Sequence, residues 1–294
     1  MGIEAFLDYL RYERNRSEHT VESYRRDLEA FMAYVHGADP QATLATVSTE
    51  IIRCWLEDML DRGNRPTSVA RRLSAVKSFY RYALSRQLVE RDPAHIVNRP
   101  KLNRPLPQFV RESDMDRLLD DMEWGDSYEA KLTRTIMLVF YETGIRISEL
   151  TGLDNRSVDY SRGEIRVTGK GNKQRAIPFG DELRHELQAY TALRDATVKP
   201  QPTDALFRTL KGARVTNPQV RRMVKQVLSS VDNLKKRSPH VLRHTFATAM
   251  LNNGADIESV QKLLGHESIA TTEIYTHTSF EQLKKIYSEA HPRR

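Results

Sequence analysis

Apolar positions recur every three to four residues through most of the chain, a spacing that predicts a succession of amphipathic helices. Four such segments fill the first hundred residues, near 3–14, 20–36, 49–62 and 66–86, enough for a small helical bundle. Helix-starting residues support three of them: Thr20 followed by Ser23, Ser48 or Thr49 before the third segment, and Pro66 in the first turn of the fourth. Helical spacing resumes near 112–121 and 128–142, the latter stopping at Gly144, and a short helix follows in "RISELTGL". The period then changes. "GEIRVTGKGNKQRAIPF" alternates every two residues on both sides of "GKGN", which predicts a β-hairpin with a glycine-rich turn. Helices return from Asp181 to the carboxyl end, one of them at 257–264, with no internal repeat or low-complexity tract.

This pattern predicts a mainly α protein, with an N-terminal four-helix domain and a C-terminal mixed α/β domain holding a small antiparallel sheet. The boundary is set by "NRPKLNRPLPQFV", where Pro100, Pro105 and Pro107 break the periodicity and basic residues break the hydrophobicity. The expected division is a first domain at 1–97, an extended basic linker at 98–108 and a second domain at 109–294. A stiff, basic connector of this length suits two domains that grip opposite faces of a duplex.

Composition narrows the function. No apolar run approaches the roughly 18 residues of a membrane span. The amino terminus lacks a basic region followed by an apolar core, and the Met-Gly start lacks the hydroxyl residue at position six that a myristoylation signal wants, so a cytoplasmic protein with no membrane partner is expected. A single cysteine, Cys54, excludes an internal disulfide framework and a cysteine-rich zinc site; its pattern with Ile51, Trp55 and Met59 predicts a core position. Lys plus Arg at 46 against Asp plus Glu at 39 leaves a net charge of +7, which suits a polyanion such as DNA.

One stretch concentrates that charge. In "SPHVLRHTFAT", Ser238 is a favoured N-cap and Pro239 a favoured first helical residue. Helical spacing puts His240, Arg243 and His244 on one stripe and Val241, Leu242, Thr245, Ala249 and Met250 on the other. Cations at the already positive end of a helix make sense when an anion binds, and phosphate is the obvious one; a solvated basic turn is the plain alternative. A second basic face, Thr67, Ser68, Arg71, Arg72, Lys77 and Arg81, reads either as a track for a DNA backbone or as an ordinary solvated helix surface. Four further positions are individually unremarked: Arg146 with Glu149 one turn on in "TGIRISEL", Lys170 at the hairpin tip, His266 after Gly265 in "LLGH", and Tyr275 in "SIATTEIYTH".

Together, in type, order and flanking residues, these positions resemble the signature of the tyrosine recombinase (phage integrase) family. Arg146 matches the family's first arginine, Lys170 its hairpin lysine, His240 and Arg243 its His-x-x-Arg box, His266 its last histidine and Tyr275 its nucleophile. The helical first domain resembles the family's SAM-like core-binding domain, and the chain, starting there, resembles the small Xer-type recombinases. Ile145 stands where relatives often have leucine. The resemblance implies strand transfer through a 3′-phosphotyrosyl link. On that resemblance Arg146 and Arg243 are expected to stabilise the phosphorane-like transition state, the two histidines to add hydrogen bonds or move the nucleophile's proton, and Lys170 to act as the general acid for the leaving 5′-oxygen. The link keeps the phosphodiester energy, so neither ATP, a metal nor another cofactor is expected, in agreement with the lack of a P-loop or acidic metal cluster.

The implied partner is a double-stranded DNA recombination site, bound by a tetramer of this chain, alone or with a second related recombinase. The implied tasks are chromosome dimer resolution, linked to cell division, or integration and excision of a mobile element. The tail after Tyr275 predicts a helix with Phe280, Leu283, Ile286 and Tyr287 on one face, expected to dock on a neighbouring subunit, or else on its own domain. Two other readings stay open: a non-catalytic helix-turn-helix regulator built on "GADIESVQKLLGHESIATTEIY", and relaxation of the type IB topoisomerase kind.

Overall fold

Helix starts and stops written into the sequence shape the amino-terminal part of the computed structural model, which describes residues 2–101, 108–169, 173–232, 234–265 and 277–293. The chain divides into two compact units, Met1–Pro105 and Leu106–Arg294.

In the first unit, α1 (Gly2–Asp8) runs on as a wider π-helical turn at Tyr9–Glu13, and α2 (Glu18–Ala38), α3 (Thr49–Asp61) and α4 (Pro66–Ser85) follow. The predicted four helices are all present. α2 starts ahead of its Thr20 signal because Ser17 is the cap, its Oγ accepting from the Thr20 N–H at 3.3 Å. Ser48 caps α3 and Pro66 opens α4, both as expected. Phe6, Phe31, Trp55, Phe79 and Tyr80 fill the core, where the buried Tyr80 hydroxyl donates to the Leu44 carbonyl. Cys54 corrects an expectation: it is exposed. The buried stripe of α3 is Ile52, Trp55, Leu56 and Met59, spaced by three and four, and Cys54 lies off it.

The second unit begins with α5 (Glu112–Asp116), a π-helical turn at Arg117–Asp121, and α6 (Tyr128–Thr143). α6 is its central helix, fully buried from Ile136 to Tyr141. After α7 (Ile147–Thr151) come β1 (Val158–Asp159), β2 (Glu164–Thr168) and β3 (Gln174–Pro178), an antiparallel sheet of order β1-β2-β3 among the described residues, with Ile165 opposite both Val158 and Ile177. The expected hairpin is β2–β3; β1, at two residues, is too short to leave an alternation. Then come α8 (Asp181–Thr197), α9 (Asn217–Val227), α10 (Pro239–Asn252), α11 (Ile257–Leu264) and α12 (His277–Ala290). The mainly helical fold with one small antiparallel sheet is the predicted class. Among the described residues no helix is long and apolar enough to cross a membrane.

The tail helix packs on its own unit. Leu283, Tyr287, Ala290 and His291 are buried in their own unit, where the Tyr287 hydroxyl donates to Glu142 Oε2 at 3.1 Å and His291 Nε2 bonds the Tyr141 carbonyl at 3.2 Å. Arg293 continues the contact, pairing with Asp116 at 3.0 Å, Glu182 at 2.7 Å and Asp120. Of the predicted apolar face, Leu283 and Tyr287 are in this unit's core and Ile286 packs partly buried against it.

Candidate active site

Two glycines make the site possible. α6 ends at Gly144 with φ +58°, and a Cβ there would lie 2.5 Å from the Phe246 ring, so the backbone angle and the packing both demand glycine. The chain turns sharply and delivers Arg146 as the N-cap of α7. Gly265 ends α11 with φ +66°, and a Cβ there would meet the Arg175 guanidinium at 3.0 Å. These turns bring the end of α11 beside the start of α7, and β3 supplies Arg175.

Three arginines converge on that place. Each takes a successive carbonyl at the carboxyl end of α11: Arg175 Nε donates to Leu263 O at 2.8 Å, Arg243 Nη2 to Leu264 O at 2.6 Å, and Arg146 Nη2 to Gly265 O at 2.8 Å. Arg243 also donates through Nη1 to Gly144 O at 2.7 Å, tying the two glycine turns together. The negative end of the α11 dipole suits this gathering. The carboxylate among them is Glu149, whose Oε1 accepts from Arg146 Nη1 at 2.9 Å and Arg175 Nη1 at 2.8 Å. Its Oε2 accepts from the Arg146 backbone N–H at 2.7 Å and Arg175 Nη2 at 3.0 Å.

Among the described residues, three guanidiniums against one carboxylate leave two positive charges in a largely buried place. Burial alone would raise the Glu149 carboxyl, but the hydrogen bonds and charge of Arg175, joined by Arg146, hold it below its ordinary value. Burial, then the charges of Arg146 and Arg175, lower Arg243 to about 10, which still leaves it charged at neutral pH. His240, in the first turn of α10, is lowered by partial burial and then by the charges of His244, Arg243, Arg221 and Arg146, so its neutral imidazole is favoured. A cluster of this kind attracts an anion with several oxygens, and a guanidinium fork matches two of them.

The predicted basic stripe of α10 needs correction. His240 and His244 are exposed as expected, but Arg243 is buried with Val241, Leu242, Thr245, Ala249 and Met250. Its burial is possible because the carbonyls of Gly144 and Leu264 satisfy its donors. Ser238 holds the N-cap position with extended backbone, though its side chain makes no capping bond. Lys170, His266 and Tyr275 lie outside the described residues. Arg175 was missed by the motif; its signal is its place in β3, two residues before buried Ile177 and so on the inward face.

The basic face of α4 is partly engaged within its own unit. Arg71 pairs with buried Asp27, at 2.8 Å to Oδ1, and reaches Ser23 Oγ at 3.0 Å. Arg72 Nε is 3.9 Å from Asp27, and Lys77 donates to the His95 carbonyl at 3.1 Å. Thr67 and Arg81 are exposed and Ser68 half-buried.

Comparisons with known proteins give the family of the chain. Residues 108–282 match the phage integrase family and residues 3–87 the phage integrase N-terminal SAM-like domain. The chain is 38% identical over 313 residues to a tyrosine recombinase XerC of Chlorobaculum tepidum, covering 98% of this chain and 93% of that one. It is 35% identical over 294 residues to a tyrosine recombinase XerD of Oceanobacillus iheyensis, covering 99% and 98%. Among solved structures it resembles the Tn1549 transposon integrase in complex with circular intermediate DNA, with a TM-score of 0.73 at 20% identity over 96% of this chain and 98% of that one, a likeness of fold.

Proposed function

Because the chain belongs to the phage integrase family and is a tyrosine-type site-specific recombinase, we propose that the arginine cluster at the end of α11 holds the scissile phosphate of a DNA recombination site. The observation that carries this is the charge balance among the described residues: Arg146, Arg175 and Arg243 against Glu149. Buried cations without enough carboxylates are costly unless an anion completes them.

In this reading Arg146 and Arg243 stabilise charge growing on the non-bridging oxygens, and His240, at the amino end of α10, adds a hydrogen bond. The Tyr275 phenolate forms a bond to phosphorus while the bond to the 5′-oxygen breaks; Lys170 gives that oxygen its proton, and His266 assists at the phosphate. A 5′-hydroxyl from the partner strand then attacks phosphorus and frees the tyrosine, so no nucleotide or metal is consumed. Exposed Thr67 and Arg81 and half-buried Ser68, with Arg71, Arg72 and Lys77, follow the DNA backbone, and the basic stretch 98–108 connects the two units. Near-full-length similarity to XerC and XerD relatives supports an Xer-type task, chromosome dimer resolution, by a tetramer with or without a second recombinase. A helix-turn-helix regulator would leave the buried cluster without a task.

Covalent trapping tests this. Wild type and Tyr275→Phe are each incubated with nicked duplex fragments of the source genome, where the nick prevents rejoining. Adducts with wild type alone, mapping to Tyr275 and a 3′-phosphate, are expected; tight duplex binding with no adduct would sink the proposal.

A further inference from the structure

Glu149 stands directly against Arg146 and would, by itself, neutralise a charge that the phosphate site needs. In the structure it does not act alone on Arg146, because Arg175 from β3 lays its fork across both carboxylate oxygens, at 2.8 and 3.0 Å. Of the five N–H donors of the Arg146 guanidinium, one meets Glu149 and one the Gly265 carbonyl. Arg175 is itself fixed by its bond to Leu263 O, beside a glycine that leaves it room: a Cβ on Gly265 would meet the guanidinium at 3.0 Å. A lysine could not span both oxygens and the carbonyl together.

We propose that Arg175 is a positioning residue: it takes up the Glu149 carboxylate so that Arg146 keeps its charge and its remaining donors for the phosphate. Without Arg175, the carboxylate closes on Arg146 as a two-bond pair of zero net charge, and the cluster falls from two excess positive charges to one. The inference rests on the phosphate-site reading above and adds a role that the motif does not contain.

The probe is a set of nicked genomic duplexes selected by their capture with wild type, with adduct rate, duplex binding and thermal unfolding measured on each variant. Arg175→Gln slows adduct formation about 10- to 100-fold, part of what one preorganised oxyanion donor contributes, while duplex binding, spread over contacts along the whole backbone, falls far less. Adding Glu149→Gln, which keeps an acceptor for the α7 cap but removes the charge, restores about tenfold or more of the loss. A merely structural Arg175 would make the double variant slower than the single, and that result, or an Arg175→Gln protein as fast as wild type, overturns the inference. Should Arg175→Gln fail to fold, Arg175→Lys compared with Arg175→Lys/Glu149→Gln carries the same sign. A wild-type protein that captures no fragment overturns the phosphate-site reading and this inference with it; a wild type that captures DNA while the double variant shows no recovery overturns this inference alone.

Discussion

Two buried glutamates flank the Gly144 turn, and they have opposite fates. Glu149, on α7, is shared by two arginines and held ionised. Glu142, at the end of α6, accepts through Oε2 from the Gly180 N–H at 3.0 Å and the Tyr287 hydroxyl, while its Oε1 has no partner among the described residues. Burial first, then the charge of Glu182, pushes Glu142 up to about 8, against the opposing bonds from Gly180 and Tyr287 and the charge of Arg293. Both are buried, Glu142 the more deeply, and the donors that reach them differ: two arginines for Glu149, neutral N–H and O–H groups for Glu142. One glutamate belongs to an arginine cluster, and the other joins the tail helix to the central helix. A carboxylate near a signature arginine is therefore no guide to function until its partners are known.

Removing the Glu149 carboxylate should break the comparison most. Glu149→Ala leaves Arg146 and Arg175 facing each other with no counter-charge, a loss of about 3–5 kcal/mol on the scale of a broken buried pair. Urea unfolding measures it. A cost below about 1 kcal/mol, the size of a surface pair, would mean that the cluster is open to solvent and that its charge balance carries little.

The next effect is pH-dependent. Native Glu142 keeps its proton up to about 8 while the unfolded chain loses it near 4.5, so its contribution to stability falls as pH rises through that window. His291 works the other way. Burial lowers it to about 4 against an ordinary 6.5, so stability rises from pH 4 to 6.5 as the unfolded chain loses that proton. The two oppose below pH 6.5, and Glu142 alone acts above it. Stability should therefore drop by about 2 kcal/mol from pH 6.5 to 8, and Glu142→Gln should flatten the drop. Equal pH slopes for the two proteins would refute the raised value.

How much of this was legible in the sequence follows from how local each feature is. Helix periods, the Ser48 cap, the Gly144 and Gly265 stops and the Arg146–Glu149 spacing are written within a few residues, and the structure keeps them. The burial of Arg243 and Arg175 depends on carbonyls contributed by Gly144, Leu263 and Leu264, which are remote in sequence, so helical periodicity assigned Arg243 to an exposed stripe and the motif passed over Arg175. Cys54 shows the limit of periodicity from the other side: an apolar-looking window did not say which of two adjacent stripes faces inward. The partners of Glu142 were equally hidden, since Gly180 and Tyr287 lie in other elements.

The smallest effect sharpens the comparison most finely. Tyr287→Phe removes one hydrogen bond to Glu142 and nothing else of its shape, at a cost of about 1 kcal/mol near pH 6, where Glu142 is protonated and can still use the Gly180 N–H. As pH rises toward 9 the wild-type carboxylate ionises and the phenol's donation to it becomes charge-assisted, so the cost of losing it grows. The Tyr287→Phe penalty should thus increase with pH, opposite in sense to the benefit of Glu142→Gln. Thermal unfolding of both variants at pH 6 and pH 9 decides the matter. A pH-independent penalty would mean that the phenol only fills space, and that burial alone, without its hydrogen-bond partners, sets the Glu142 proton.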